Sequence, residues 1–128
     1  MEKNFNLEII SPEKILFSDK VSSVTIPSFE GEMTILPDHI SIITFLRPGV
    51  ININENKKKY FAEEGTVEFA KNNLTILSST IIDLDSLSKD VILSMLEASK
   101  KELNQENIDD KKRYIISHKI DCLSQISL

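Results

Sequence analysis

The stretch FEGEMTILPDHISIITFLRPGVINI, residues 29 to 53, sets a glycine turn, a proline-led loop and a Pro-Gly turn between short apolar runs. That punctuation constrains the fold more than any other feature of the chain. Gly31 and Gly49 can take positive φ without a Cβ clash, while Pro37 and Pro48 fix φ at about −65° and remove a ladder donor. All four belong at strand ends, so the stretch reads as strand, turn, strand, loop, strand.

The same grammar runs to about Ser79. Phe5, Leu7 and Ile9 alternate with Asn6 and Glu8. Val24 and Ile26, Val67 and Phe69, and Leu74 and Ile76 repeat the period of two. With the runs Ile15 to Phe17, Met33 to Leu36, Ile42 to Leu46, Val50 to Ile53 and Lys59 to Ala62, roughly nine or ten strands are expected, the spacing of an antiparallel β-sandwich. Alternation of this kind marks sheets with one dry and one wet face.

After a hinge-like Asp83, Leu84, Asp85, Ser86 the period changes. Ser88 can cap a helix with Asp90 in its first turn, and Ile92, Leu96, Ser99 and Leu103 share one face, widened by Met95. Asn104 to Asn107 break the pattern. A second helix follows, capped by Asp109 or Asp110, with Ile116, Ile120 and Leu123 as its stripe, Ile115 and Ile126 beside it, and an Asp109–Arg113 pair four residues apart. The expected plan is α+β: a β-sandwich over residues 1–85, then an antiparallel α-helical hairpin over 86–128. Each helix is marginal alone in water, so its stability comes from packing. A hairpin satisfied mainly by its own two stripes would be weakly tied to the sandwich and free to dock in more than one place.

Composition removes several classes of function. The net charge of −5 argues against nucleic acid as a partner. Lys57, Lys58 and Lys59 form a basic run beside Asn54, Glu55 and Asn56 where a hairpin tip is expected, and read as solvated. Cys122 is the only cysteine, which excludes a disulfide framework and a cysteine metal site. No apolar run approaches the ~18 residues of a membrane span, and MEKNFNLEII has neither a signal-peptide core nor transit-peptide character. Gly31, Gly49 and Gly65 are too scattered for a phosphate loop. His39 and His118 fall in different predicted domains, so no metal site is expected. Asp38, His39 and Ser41 hold the residue types of a hydrolase triad, but loop neighbours diverge too much to act as one. By itself His39 reads as a loop-fixing histidine and Glu32 as a solvated carboxylate.

The ordered combination carries more than its parts. Glu30, Gly31 and Glu32, a strand ending in Leu36 and Pro37, His39 two residues beyond, then Arg47, Pro48 and Gly49, resemble one family: the epsilon subunit of bacterial F-type ATP synthases, called delta in mitochondria. The likeness extends to Leu7–Ser11 with Phe17 and Ser18, and to Phe61–Thr80; the helices match only in position, length and amphipathic character. It implies a non-catalytic rotor subunit of the central stalk, without cofactor, taking part in ATP synthesis driven by the proton-motive force. Its partners would be the gamma subunit, the c-ring and, when the hairpin extends, the catalytic alpha/beta head, at the cytoplasmic face of the bacterial plasma membrane. The resemblance places Glu30, Gly31 and Glu32 at the c-ring and His39 at gamma. It also implies that the hairpin regulates ATP hydrolysis. The chain departs from the family's ATP-binding pattern, an Asp followed three residues later by Arg and Ala: Asp85 is followed by Ser88, Lys89 and Asp90, with no Arg between Asp85 and Arg113. A hydroxyl and a lysine lack the guanidinium fork that grips phosphate, so no ATP site is expected. In the family's pair of glycines before a late strand, Glu64 stands before Gly65. The alternative is a free-standing β-sandwich that binds or hydrolyses a ligand, with a helical dimerisation tail; it would need a deep pocket with convergent polar groups.

Overall fold

In the computed structural model, which describes residues 3–54 and 58–126, the alternating segments become ten strands among the described residues. They are β1 (Phe5–Ile10), β2 (Ile15–Val21), β3 (Val24–Ser28), β4 (Gly31–Ile35), β5 (Ile42–Leu46), β6 (Gly49–Ile53), β7 (Lys58–Ala62), β8 (Gly65–Ala70), β9 (Asn73–Leu77) and β10 (Ile82–Asp83). A 3₁₀ turn at Leu84–Ser86 leads to α1 (Lys89–Leu103) and α2 (Asp110–Ile126).

One strand folds the sheet into two layers. On one edge β3 pairs with β4 along its whole length; on the other it begins against β6, through Val24 with Ile53 and Thr25 with Asn52, and ends against β5, through Ser28 with Leu46. One layer is therefore β4-β3-β6-β7-β10 and the other β5-β8-β9-β1-β2. The switch falls at Pro27, which has no N–H to leave unpaired where the ladder breaks; its carbonyl accepts from Arg47 N at 2.9 Å. Between the layers lie the inward residues of the alternation, among them Leu7, Ile9, Ile26, Ile51, Val67, Phe69 and Ile76, all essentially inaccessible to water.

Gly31 takes the positive φ open to it, +122°, closing the β3–β4 turn with Ser28 Oγ donating to its carbonyl at 2.7 Å. Gly49 does not. Its need for hydrogen in place of a side chain is one of space: a Cβ there would lie 2.5 Å from Pro27 Cβ. Gly65 is as tightly held, a Cβ falling 2.6 Å from the Leu77 carbonyl oxygen, so its turn is less forgiving than an exposed one.

The hairpin builds a second core on the outer face of the first layer. Phe61 of β7 points away from the sandwich interior and is fully buried with Ile92 and Leu123, with Leu84, Leu87, Met95, Leu96, Cys122 and Ile126 around it. Ser88 Oγ accepts from Val91 N and Asp109 Oδ1 from Lys112 N, capping both helices as expected. Buried Ser99 returns its hydroxyl to Met95 O at 2.8 Å, which satisfies a polar group where the helices pack. The Asp109–Arg113 pair is not among the ion pairs of the described residues, because the Asp109 carboxylate is occupied as a cap; Lys112 meets Glu102 of α1 instead, at 4.0 Å.

Two further expectations are corrected. The Asp83–Ser86 segment is no loose hinge: Ile82 and Asp83 pair with Phe61 and Tyr60, and Lys58 Nζ donates to Asp83 Oδ2 at 2.5 Å and lies 3.7 Å from Asp85. Lys58 is therefore engaged rather than solvated, while Lys59 is exposed; Lys57, Glu55 and Asn56 lie outside the described residues. The hydrogen bond to Asp83 raises the pKa of Lys58 and lowers that of its partner. The two helices pack chiefly on each other, as expected, and Phe61 ties that pair to the sandwich.

Replacing Gly49 with Ala is expected to destabilise the chain by about 1–3 kcal/mol, the range for forcing an extra methyl into a filled site. Urea unfolding checks this, and an unchanged midpoint would show that Pro27 yields freely.

Candidate functional site

The acidic turn and the histidine loop lie at opposite ends of the sandwich. β5 runs from Ile42 beside the loop to Leu46 beside the turn, five residues or about 13–17 Å. Glu30 and Glu32 are exposed on either side of half-buried Gly31. At the other end, Asp38 takes φ 64° and its N–H donates to Asn72 Oδ1 at 2.7 Å, while Asn72 Nδ2 returns a bond to Asp38 Oδ1 at 2.9 Å. Asn72 belongs to the two-residue turn between β8 and β9, where Lys71 and Asn72 both have positive φ, the geometry that matches strand twist in a tight hairpin. This reciprocal pair fixes the Leu36–Ile40 loop; the only local signal for it is that Asp and Asn are the residues that tolerate such φ.

His39 adds a lesser restraint. Its Nδ1–H donates to the Ile40 carbonyl at 2.7 Å and its ring meets Phe69 edge-on at 5.8 Å. The nitrogen that a triad would offer to an orienting carboxylate is thus held by backbone, and the Asp38 carboxylate bonds Asn72. These three neighbours are not arranged as nucleophile, base and orienter.

Between the two ends runs an apolar surface that no sequence motif marks. Leu36, Ile40, Ile43 and Phe45 are 53%, 77%, 73% and 57% exposed, a density of large apolar groups that a wet sheet face does not need. Strand register continues it across the uncovered layer: Phe45 lies opposite Thr66, Thr66 opposite Leu77, Leu77 opposite Ile10 and Ile10 opposite Ile15. Ile43 and Phe45 alternate with buried Thr44 and Leu46, so their outward set was legible in the period-two pattern once the inward set was known. A groove of about 1190 Å³ opens between this row and α2, with Phe45, Leu77 and Ile115 along it and Glu64 and Lys111 at its rim.

At the turn end, α2 sits on both family turns together. Tyr114 stacks on Phe29 with ring centroids 5.7 Å apart, and its hydroxyl accepts from Arg47 Nη1 at 3.4 Å. His118, one turn on, meets the Tyr114 ring edge-on at 4.4 Å. Lys119 forms an ion pair with Glu63 of the β7–β8 turn. Burial lowers the His118 pKa and the Arg47 charge lowers it further, against a smaller opposing pull from Asp121. Burial also pushes the Cys122 thiol up to about 11, which leaves it protonated at neutral pH and inert.

Residues 4–83 match the family described as the ATP synthase delta/epsilon chain β-sandwich domain. Over its length the chain is 41% identical to an ATP synthase epsilon chain of Pelagibacter ubique, covering 99% of this chain and 100% of that one. It is 37% identical to an ATP synthase epsilon chain of Allorhizobium ampelinum over 81% of this chain and 79% of the relative. Among solved structures, a chain of the Euglena gracilis mitochondrial ATP synthase (OSCP/F1/c-ring) superposes with a TM-score of 0.78 at 18% identity, covering 98% of this chain and 82% of that one. One from the Tetrahymena thermophila mitochondrial ATP synthase central stalk and c-ring gives 0.67 at 15%, covering 99% and 98%. At those identities the likeness is one of fold, and it extends through the helices.

Tyr114→Ala removes the stack and the hydroxyl acceptor together. Amide hydrogen exchange in α2 is expected to speed severalfold, consistent with the ~0.5–1.5 kcal/mol of an aromatic pair, while β1, β8 and β9 keep their protection. Equal loss of protection in both regions would mean that the two bodies unfold as one.

Proposed function

The chain belongs to the ATP synthase delta/epsilon family, and from that premise we propose that it is a non-catalytic rotor subunit of a bacterial F-type ATP synthase. It joins the gamma subunit to the membrane c-ring in the central stalk and takes part in ATP synthesis driven by the proton-motive force. The observation that carries this is the 41% identity to an epsilon chain across essentially the whole of both chains; with it, the free-standing ligand-binding reading has no support of comparable weight.

Separation of the two ends of the sandwich supports a division of labour. In this reading the acidic turn, Glu30, Gly31 and Glu32, meets the polar loops of the c-ring, where charged contacts set register and partner choice more than affinity. Gamma covers the His39 loop and the apolar surface through Ile40, Ile43 and Phe45, whose exposure in the isolated chain is then removed in the complex. No helix among the described residues is long and apolar enough to cross a membrane, and the subunit is held peripherally, at the cytoplasmic face, by its partners. A densely packed sandwich deforms little, which suits a body that transmits torque without slip.

Residues 1–85 act as the rotor body and 86–128 as a movable hairpin. The structure describes the hairpin docked on Phe61 and Phe29. In that position it permits turnover; extended along gamma toward the alpha/beta head, it obstructs rotation in the hydrolytic direction. A few kcal/mol between docked states suffices for a partner to shift them.

His39→Glu is expected to weaken association with gamma at least tenfold in a titration, with the isolated fold intact; an unchanged affinity removes the histidine loop from that interface. A chain ending at Ser88 keeps the whole interior of the sandwich and is expected to raise ATP hydrolysis by the assembled enzyme. Unaltered hydrolysis would leave the hairpin as a structural support only.

A further inference from the structure

The contacts that hold α2 on the two turns include one group whose ordinary titration falls between pH 5 and 8, His118. Three charged groups bear on it or flank it. Arg47 comes from the β5–β6 turn and Asp121 from the imidazole's own helix, while Lys119 is already paired with Glu63. From α1, Glu102 pairs with Lys112 further toward the start of α2. We propose that His118, Tyr114 and Arg47 form a pH-sensitive latch, which holds the hairpin on the sandwich when the imidazole is neutral and releases it when the imidazole is protonated.

The neighbours that move with the ring differ from those that stay behind. Asp121 is carried on α2 and accompanies His118 whether the hairpin is docked or free, so its attraction does not favour either state. Arg47 is fixed in the sandwich, and its guanidinium is already committed to the Tyr114 hydroxyl. An imidazolium formed in the docked hairpin is therefore half-buried near a like charge; release removes the Arg47 charge and the sandwich's share of the cover, while the Tyr114 ring, like Asp121, travels with it. The sign follows from linkage. Docking lowers the pKa, so its full contribution is present above the free imidazole's value of about 6.5 and is lost as pH falls below it, until the docked ring protonates as well.

This latch is a property of the isolated chain; only its consequence rests on the rotor reading, in which a fall in pH frees the hairpin to extend and slows ATP hydrolysis. Spin labels at Glu68→Cys on the uncovered sheet and Arg113→Cys on α2, with Cys122 replaced by Ala, would follow docking by electron–electron distance measurements on the full chain. At pH 7.5 one short distance is expected; at pH 5.5 the population at longer distance is expected to rise severalfold. His118→Phe keeps an aromatic ring against Tyr114 and cannot protonate, so its distribution is expected to be the same at both pH values. Arg47→Gln is expected to respond less than the unmodified sequence. A wild-type distribution that ignores pH overturns the latch, as does an undiminished response in either variant, which would place the sensor elsewhere, His39 included. Because no partner is present, neither result depends on whether the chain serves a rotor.

Discussion

The close approach of Pro27 to Gly49 governs the architecture. Where β3 leaves β6 and takes up β5, the proline ring lies against a position that admits no side chain, and the sheet bends there into two layers. Phe29 of the β3–β4 turn and Arg47 of the β5–β6 turn are brought together as a result, and α2 rests on that pair. Each surface with a role in the proposed function, the acidic turn, the apolar row and the seat of the hairpin, takes its position from this corner.

Two cores share one strand. The inward side of β7 contributes Tyr60 and Ala62 to the sandwich, and its outward side contributes Phe61 to the hairpin core. The sandwich interior draws nothing from α1 or α2, which is the physical condition for a hairpin that can leave without unfolding its support. What leaving would expose is chiefly Phe61. The segment between the bodies is itself pinned, by β10 pairing and by Lys58 with Asp83, so movement of the hairpin pivots beyond Ser86 or first breaks that ion pair.

Most of the fold was legible because burial on one face leaves a period that a reader can count. Phe5, Leu7 and Ile9, Val67 and Phe69, and the stripe Ile92, Ser99, Ile116 and Leu123 all occupy the sides their spacing gave them. What was not legible depended on contacts between segments distant in sequence. Nothing local marks β10, two residues long, as a strand, or Lys58 as the partner of Asp83. Gly49 shows in the sequence as a turn residue free to take positive φ, but its actual constraint is a neighbour twenty-two positions earlier. Tyr114 and His118 lie off the apolar stripe of α2, and only the fold shows that Tyr114 meets two turns, with His118 against its ring. The motif residues Glu30, Gly31, Glu32 and His39 were visible through family resemblance, whereas the exposed Ile43 and Phe45 carry no motif and emerge from register and accessibility.

The central claim is that opposite ends of one rigid sandwich grip two different rotor components. It is tested most directly by placing a photo-crosslinking amino acid at Glu32 or at Ile43 and irradiating the assembled, membrane-bound complex. Capture of the c-ring subunit from position 32 and of gamma from position 43 is the result the account predicts. Capture of the same protein from both positions, or of none, would contradict it.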